Sequence, residues 1–375
     1  MLFHRRDFLR SALAAATISA VPTVRGKTEK QKASEGHPVP SFNDTKPDVF
    51  PGGTIKSLTV KETPSIPNMS TSLVEMKPGA LRGLHWHKTA SEFGYVVSGN
   101  CVLSVYDPDN HMESGPLNAG DIWYLPRGFS HSLWAAGNQG CTFCTVYDDG
   151  ITTEQNALHL ADLLRSERPE IIYSSLGIPA DRISHASGDL LMVGRTDPGS
   201  LSPHGLAGPA PESFRFKLTQ LPQMKMPGGS FVQASKSDFP MSLTMVGAIT
   251  ILESDGIREP HWHPNADEWD LVLEGSALVT IFDGPGRGAT VELGPNDIGF
   301  LPRNQAHAVE ATGGKTFKLL SVFNDNAFLS IGISELLAGT PDTLIAQNLG
   351  LSQDDIAKLP KDERFIVKNS LPPVG

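Results

Sequence analysis

Two copies of one set of metal-ligand side chains stand 176 residues apart in this 375-residue chain, in the same order and at the same spacing. The first copy is His85-Trp86-His87 with Glu92 and a closing Gly99; the second is His261-Trp262-His263 with Glu268 and Gly275. The differences 261 − 85, 268 − 92 and 275 − 99 all equal 176, and the same offset links Asp121 to Asp297, Pro126 to Pro302 and His131 to His307. Matches of this kind at one offset mark an internal duplication, so the chain must fold as two similar units with one similar site in each.

The length agrees, because one hydrophobic core seldom supports 375 residues. With 36 Gly, 29 Pro and 19% charged residues the composition is turn-rich and globular, neither disordered nor membranous. Short apolar runs such as Cys101–Tyr106, Ile122–Leu125 and Cys141–Tyr147 are separated by Gly, Pro, Asn and Asp, and Ala277–Phe282, Ile298–Leu301 and Phe317–Phe323 repeat them. Evenly spaced short strands with turn signals predict an all-β fold with minor α: two β-barrel or jelly-roll domains. A short helical segment follows each barrel, at Leu158–Leu176 and Ile333–Leu349. The expected divisions are an export signal at 1–26, a polar arm at 27–48, the N-terminal domain at 49–194, a Pro- and Gly-rich connector at 195–212 and the C-terminal domain at 213–375.

Near the helices the offset drops to 173, as Gly177 to Gly350 shows, so the first half carries three extra residues within Asp148–Ala157. Function tends to reside in loops on a rigid scaffold, so the two sites are not expected to do the same work.

The amino terminus reads Arg5-Arg6-Asp7-Phe8-Leu9-Arg10 before an apolar run from Ser11 to Val21. That run is too short to span a bilayer, and its basic flank marks a cleavable twin-arginine export signal, hence a periplasmic or secreted protein with no membrane segment once mature. A formal charge of −10 speaks against nucleic acid as a partner. Three cysteines, Cys101, Cys141 and Cys144, form no paired framework; Cys141 and Cys144, three apart in a strand, face opposite sides and read as buried thiols.

Alternate strand residues share a face, so His85 and His87 can bind one ion, with Glu92 beyond a turn and His131 on a later strand. His261, His263, Glu268 and His307 repeat the set. Three imidazoles and a carboxylate without thiolate suit manganese or iron better than a closed zinc site, and octahedral coordination leaves two positions open. Folding around the metal before export would shield manganese from copper and zinc, which bind such ligands more tightly.

The string Gly79, His85, His87, Glu92, Gly99, then Gly120, Pro126, Gly128 and His131, resembles the cupin pattern. The second half departs from it at Gly256, one residue too close to His261, and at Asn304, which replaces a Gly; neither change removes a ligand. An arginine three residues before each His-Trp-His, Arg82 and Arg258, extends the resemblance to two-domain oxalate decarboxylases over about residues 40 to 370. That resemblance implies two manganese ions per chain, dioxygen as co-catalyst, and conversion of oxalate to formate and carbon dioxide. It also implies a homo-oligomer, a trimer or hexamer. Arg82 would hold the oxalate carboxylate. Glu154, on a lid after the first barrel, would move the proton. Its neighbours Thr153, Gln155, Asn156 and Ala157 differ from the family's usual Ser-Glu-Asn-Ser-Thr, and Ser321 stands where some members carry a second glutamate. These features imply catalysis at the N-terminal site and a supporting C-terminal metal. The rival readings are an oxalate oxidase releasing hydrogen peroxide, a dioxygenase acting on an aromatic such as a flavonol, and a metal-binding bicupin without turnover. Arg82 favours a small anion over an apolar ring. Trp86 and Trp262 are expected to point away from the ligands into packing contacts.

Overall fold

The computed structural model describes residues 39–183, 192, 194, 210–282, 284, 285 and 287–370; the export segment and most of the connector lie outside these described residues. Two glycines from the repeat shape the barrels. Gly99 and Gly275 adopt φ of 74° and 72°, and a Cβ there would lie 2.1 Å from the Gly140 carbonyl oxygen and 2.3 Å from that of Thr316. Only glycine permits this close left-handed corner.

In the first half the 15-residue strand Glu92–Tyr106 passes through that corner and serves both layers. Its early residues pair with Ile122–Leu125 and Cys141–Tyr147, its later ones with Met112–Asn118 and Ser130–Ala135. One curled sheet of 11 strands results. In the second half the strand divides into Glu268–Glu274 and Ser276–Phe282, giving two sheets of six strands each. The expected all-β architecture with two barrels is therefore what forms.

The helical segments also match. Helices Leu160–Ser166 and Pro169–Leu176 follow the first barrel, and Ile333–Gly339 and Asp342–Leu349 the second. Each pair is broken at a proline, Pro169 or Pro341, and each second helix ends on a left-handed glycine, Gly177 or Gly350. One detail differs from the sequence reading: Leu158 and His159 are strand, because their backbone pairs with Leu81–Trp86. Among the described residues no helix is long and apolar enough to cross a membrane.

Each half is completed by an arm from elsewhere in the chain. Arg215–Phe216, placed by sequence in the C-terminal domain, pairs with Ile122 and Trp123 of the first barrel. Residues of the presumed linker bind the second: Ser41 bridges Asp297, and Ile298 N donates to the Pro40 carbonyl at 2.8 Å. A buried cluster then joins the halves, with Phe93, Tyr95 and Val146 packed with Val232, Trp269 and Val322. Gly247 leaves room for the Phe93 ring, since a Cβ there would stand 2.2 Å from Phe93 Cζ. Burying each large apolar side chain contributes about 1.5–3 kcal/mol, so this shared cluster holds the barrels together. Two further clusters fill the barrel interiors. Cys141 lies in the first interior and Cys144 between the halves, on opposite faces of their strand as expected; all three cysteines are free and buried.

Candidate functional site

His85 opposes His131 across neighbouring strands Leu81–Trp86 and Ser130–Ala135, and His261 opposes His307 in the same way. Directly opposed residues share a face, which brings two imidazoles into each barrel. His87 and Glu92 enter from either side of the turn after the first strand. Arg82 precedes His85 by three positions, a spacing that in a regular strand would face it away. A register shift between Arg82 and His85, repeated between Arg258 and His261, turns the arginine inward, and Arg82 is fully buried. Trp86 and Trp262 are only half-buried, on the other face.

The structure gathers both predicted ligand sets. His85, His87, Glu92 and His131 present atoms within 4.8 Å of one another, as do His261, His263, Glu268 and His307, and all eight residues are buried. At the first centre Glu92 Oε2 is 2.8 Å from His87 Nε2 and 3.2 Å from His131 Nε2. At the second, Glu268 Oε2 is 3.2 Å from both His263 Nε2 and His307 Nε2.

Both donor sets fit a divalent cation. The Nδ1 atoms of His85, His131, His261 and His307 lie 2.7, 2.9, 2.8 and 3.0 Å from backbone carbonyl oxygens, and His263 Nδ1 lies 2.7 Å from that of Leu329. A carbonyl only accepts, so each Nδ1 carries the proton and each Nε2 turns a lone pair to the centre. The buried His85 Nε2, His263 Nε2 and Glu268 Oε2 have no hydrogen-bond partner among the described residues. Burial, helped by Arg82 and His131, pushes the His85 pKa well down; burial, His307 and Arg258 do so for His261. Burial pushes Glu92 and Glu268 upward, but the facing histidines outweigh it and both carboxyls sit low. Imidazole nitrogens converging on a carboxylate are what a hard or borderline metal ion requires.

Beyond the ligands the sites diverge. At the first, the Trp123 indole Nε1 donates to Glu92 Oε1 at 2.8 Å. Gly94 makes room, for a Cβ there would fall 1.9 Å from the Trp123 ring. At offset 176 the pair becomes Asp270 and Gly299. Burial and the adjacent Glu268 push the Asp270 pKa well up, and Ser321 Oγ donates to its Oδ1 at 2.6 Å.

The lids differ more. Glu154 is fully buried over the first centre. Arg82 Nε donates to its Oε2 at 2.8 Å, Arg82 NH2 to its carbonyl at 2.9 Å, and the Tyr147 hydroxyl to its Oε1 at 2.9 Å. The same Oε2 stands 3.7 Å from His85 Nε2. Thr153 and Asn156 cap the short turn reciprocally, and Ser57 Oγ donates to Gln155 Oε1 at 2.7 Å, so the unusual flanking residues still anchor the lid. At the second centre Phe328 lies 5.3 Å from the His263 ring, Phe323 replaces Tyr147, and Arg258 bonds to the Phe365 carbonyl and Ser330 Oγ. The space left there is a cavity of ≈ 20 Å³ lined by Phe231, Phe323 and Phe328 beside the ligands, room for about one water.

Three residues at the first centre escaped the sequence reading: Trp123, Tyr147 and His159. The first two sit at repeat positions whose partners differ in type, which is a signal, though direction and contact need the fold. His159 stacks on His85 with ring centres 5.7 Å apart, and burial with the Arg82 charge lowers its pKa to about 4.

The cupin family matches residues 41–178 and 217–357, one domain in each half. Oxalate decarboxylase OxdC of Bacillus subtilis (strain 168) is 31% identical over 332 residues, covering 88% of this chain and 86% of that protein. A probable oxalate decarboxylase of Arthroderma benhamiae is 27% identical over 336 residues, covering 87% and 82%. A solved structure of the Bacillus subtilis enzyme, studied for its Mn(II) centers, superposes with a TM-score of 0.84 at 30% identity and covers 88% of each chain. With two cupin domains, two complete ligand sets and this match along most of its length, the chain belongs to the bicupin oxalate decarboxylase family, whose members are carboxy-lyases.

Proposed function

We propose that this protein is a manganese-dependent oxalate decarboxylase that works at its N-terminal centre. The observation that carries the reading is the contact of Glu154 with both Arg82, at 2.8 Å, and the metal cage, 3.7 Å from His85. His85, His87, Glu92 and His131 would hold one Mn(II), and His261, His263, Glu268 and His307 a second. The bound metal supplies Lewis acidity and one-electron chemistry, with dioxygen as co-catalyst.

The protein residues supply binding and proton movement. In the closed lid the Glu154 carboxylate lies where a substrate carboxylate would pair with Arg82, so the lid must lift for oxalate to enter. Arg82 then holds one end of oxalate by charge-assisted hydrogen bonds in a dry site. Reclosure excludes water. Monoprotonated oxalate gives its proton to the Glu154 carboxylate, the carbon–carbon bond breaks with release of carbon dioxide, and the proton returns to the remaining carbon as formate. Once the lid has reclosed, Tyr147 holds the carboxyl in reach. The substrate's protonation state places activity in mildly acidic solution.

The C-terminal metal has a supporting role, since Phe328 roofs it and Arg258 is bound elsewhere. Exposed apolar residues on both helical segments, Leu163, Tyr173, Leu336 and Leu344 among them, support assembly into trimers or a hexamer. Export by the twin-arginine route belongs to the same reading, and cell fractionation with signal-deleted protein tests it. The central test is incubation of manganese-loaded protein with oxalate in air and without air. Formate and carbon dioxide, produced only with oxygen present, are expected. Peroxide without formate would make the protein an oxidase, and neither product would leave a metal-binding bicupin.

A further inference from the structure

We propose that His159 is a substrate-binding residue of the N-terminal centre, its Nε2–H donating to a carboxylate oxygen of bound oxalate. This rests on the decarboxylase reading above.

The backbone places it. Leu158–His159 pairs antiparallel with Leu81–Trp86, with His159 directly opposite His85. Opposed residues project to one face, so the His159 ring enters the metal cavity beside its neighbour, inclined by 22° to it and only 9% exposed.

Its hydrogen bonding fixes the tautomer. Nδ1 lies 3.5 Å from Arg82 NH1. A guanidinium has donors only, so Nδ1 must accept and the ring proton must sit on Nε2. That Nε2 is buried with no hydrogen-bond partner among the described residues. An unmet buried donor is costly, and one beside a metal cage and an arginine is suited to an anion that comes and goes. The Glu154 carboxylate marks where one carboxylate fits, between Arg82 and His85. Oxalate brings two carboxylates to that place and so has oxygens to spare for the second donor.

The second half is an internal control. The residue opposite His261 is Gly332, and a Cβ there would come within 2.3 Å of Glu259 Oε1. Glu259 in turn accepts from Ser334 Oγ at 2.7 Å, which fills the place with a fixed carboxylate. The donor thus belongs only to the centre with the glutamate lid.

Glutamine and asparagine separate the two ring nitrogens: the Gln amide nitrogen reaches the place of Nε2, and that of Asn the place of Nδ1. In manganese-loaded protein, His159→Asn and His159→Leu are expected to weaken oxalate binding by about tenfold or more, the size of one hydrogen bond to a charged group. KM should rise accordingly with kcat changed less, while His159→Gln stays within about threefold by the same reasoning. Calorimetric oxalate binding is read beside manganese content and melting temperature, which a substrate contact does not move. Wild-type affinity in both the Asn and Leu variants, or equal loss in the Gln variant, overturns the proposal. Wild-type protein that neither binds oxalate nor yields formate or peroxide overturns the decarboxylase reading itself, and this inference with it.

Discussion

The guanidinium carbon of Arg258 lies 3.5 Å from the centre of the Phe365 ring, whereas Arg82, its counterpart 176 residues earlier, holds the Glu154 carboxylate at 2.8 Å. One duplicated arginine therefore has two roles. Arg82 faces a carboxylate that can move. Arg258 is committed to a ring, a backbone carbonyl and a serine hydroxyl, and burial lowers its pKa to about 10. Phe365 takes a φ of 50°, a left-handed conformation that an aromatic residue adopts only when its surroundings enforce it.

Lysine at each position separates these roles. Arg258→Lys loses the flat stack and the fork, an expected cost of about 1–3 kcal/mol seen as a lower melting temperature, with formate turnover per metal-loaded chain within about twofold of wild type. Arg82→Lys should reduce kcat/KM by about 100-fold, because a substrate misplaced by an ångström loses that much. Equal kinetic losses in the two variants would mean that the centres share the chemistry.

Glu154→Gln keeps the lid's shape and removes its proton carrier. Formate production should fall by about 10²–10⁴-fold with both metals retained, and peroxide should replace formate among the products. Metal analysis and paired formate and peroxide assays check this. Formate made at the wild-type rate would remove Glu154 from the reaction.

Trp123→Phe takes the indole donor from Glu92 while leaving a ring in its place. Loss of such a contact behind a metal ligand typically costs about 10–100-fold in affinity, so chelator competition should empty the N-terminal centre first. The C-terminal centre, supported by Asp270 instead, should hold its metal as before. Gly94→Ala should do similar damage, because its Cβ would fall 1.9 Å from the Trp123 ring.

The ligand cages and the barrels were legible because duplication shows every constraint twice. Glu92 and Glu268, or Gly99 and Gly275, stand at one offset for one physical reason. What differs between the halves was harder to read. His159 has Gly332 as its partner at offset 173, so no repeat marked it, and only strand pairing puts it opposite His85. Arg215–Phe216 and Ser41 carry too few residues to declare a strand, and their pairing with Trp123 and Asp297 spans long stretches of chain. Phe365 reads as an ordinary apolar residue near the carboxyl end. Its role exists only where the fold brings Arg258 beneath its ring.

Acid should destabilise the metal-free protein. Burial first, and positive neighbours second, lower the pKa of His85, His159 and His261. Free histidine titrates near 6.5, so below about that pH the unfolded chain binds protons that the folded one refuses, and stability falls with pH. Glu92 and Glu268 are also held low, so their contribution is complete above the ordinary value of about 4.3 and is lost as pH falls toward their folded values. Asp270 acts in the opposite sense, since burial and Glu268 raise it and its folded form gains from acid. Between about pH 7 and pH 4.5 three histidines oppose one aspartate, so the melting temperature in chelator should decline over that interval, and the two glutamates should steepen the decline only below it. Manganese binds only the deprotonated cages, so the rise in melting temperature that it gives should shrink over the same interval. A metal-free protein that melts higher at about pH 4.5 than at pH 7 would show that His85, His159 and His261 are not held low by burial.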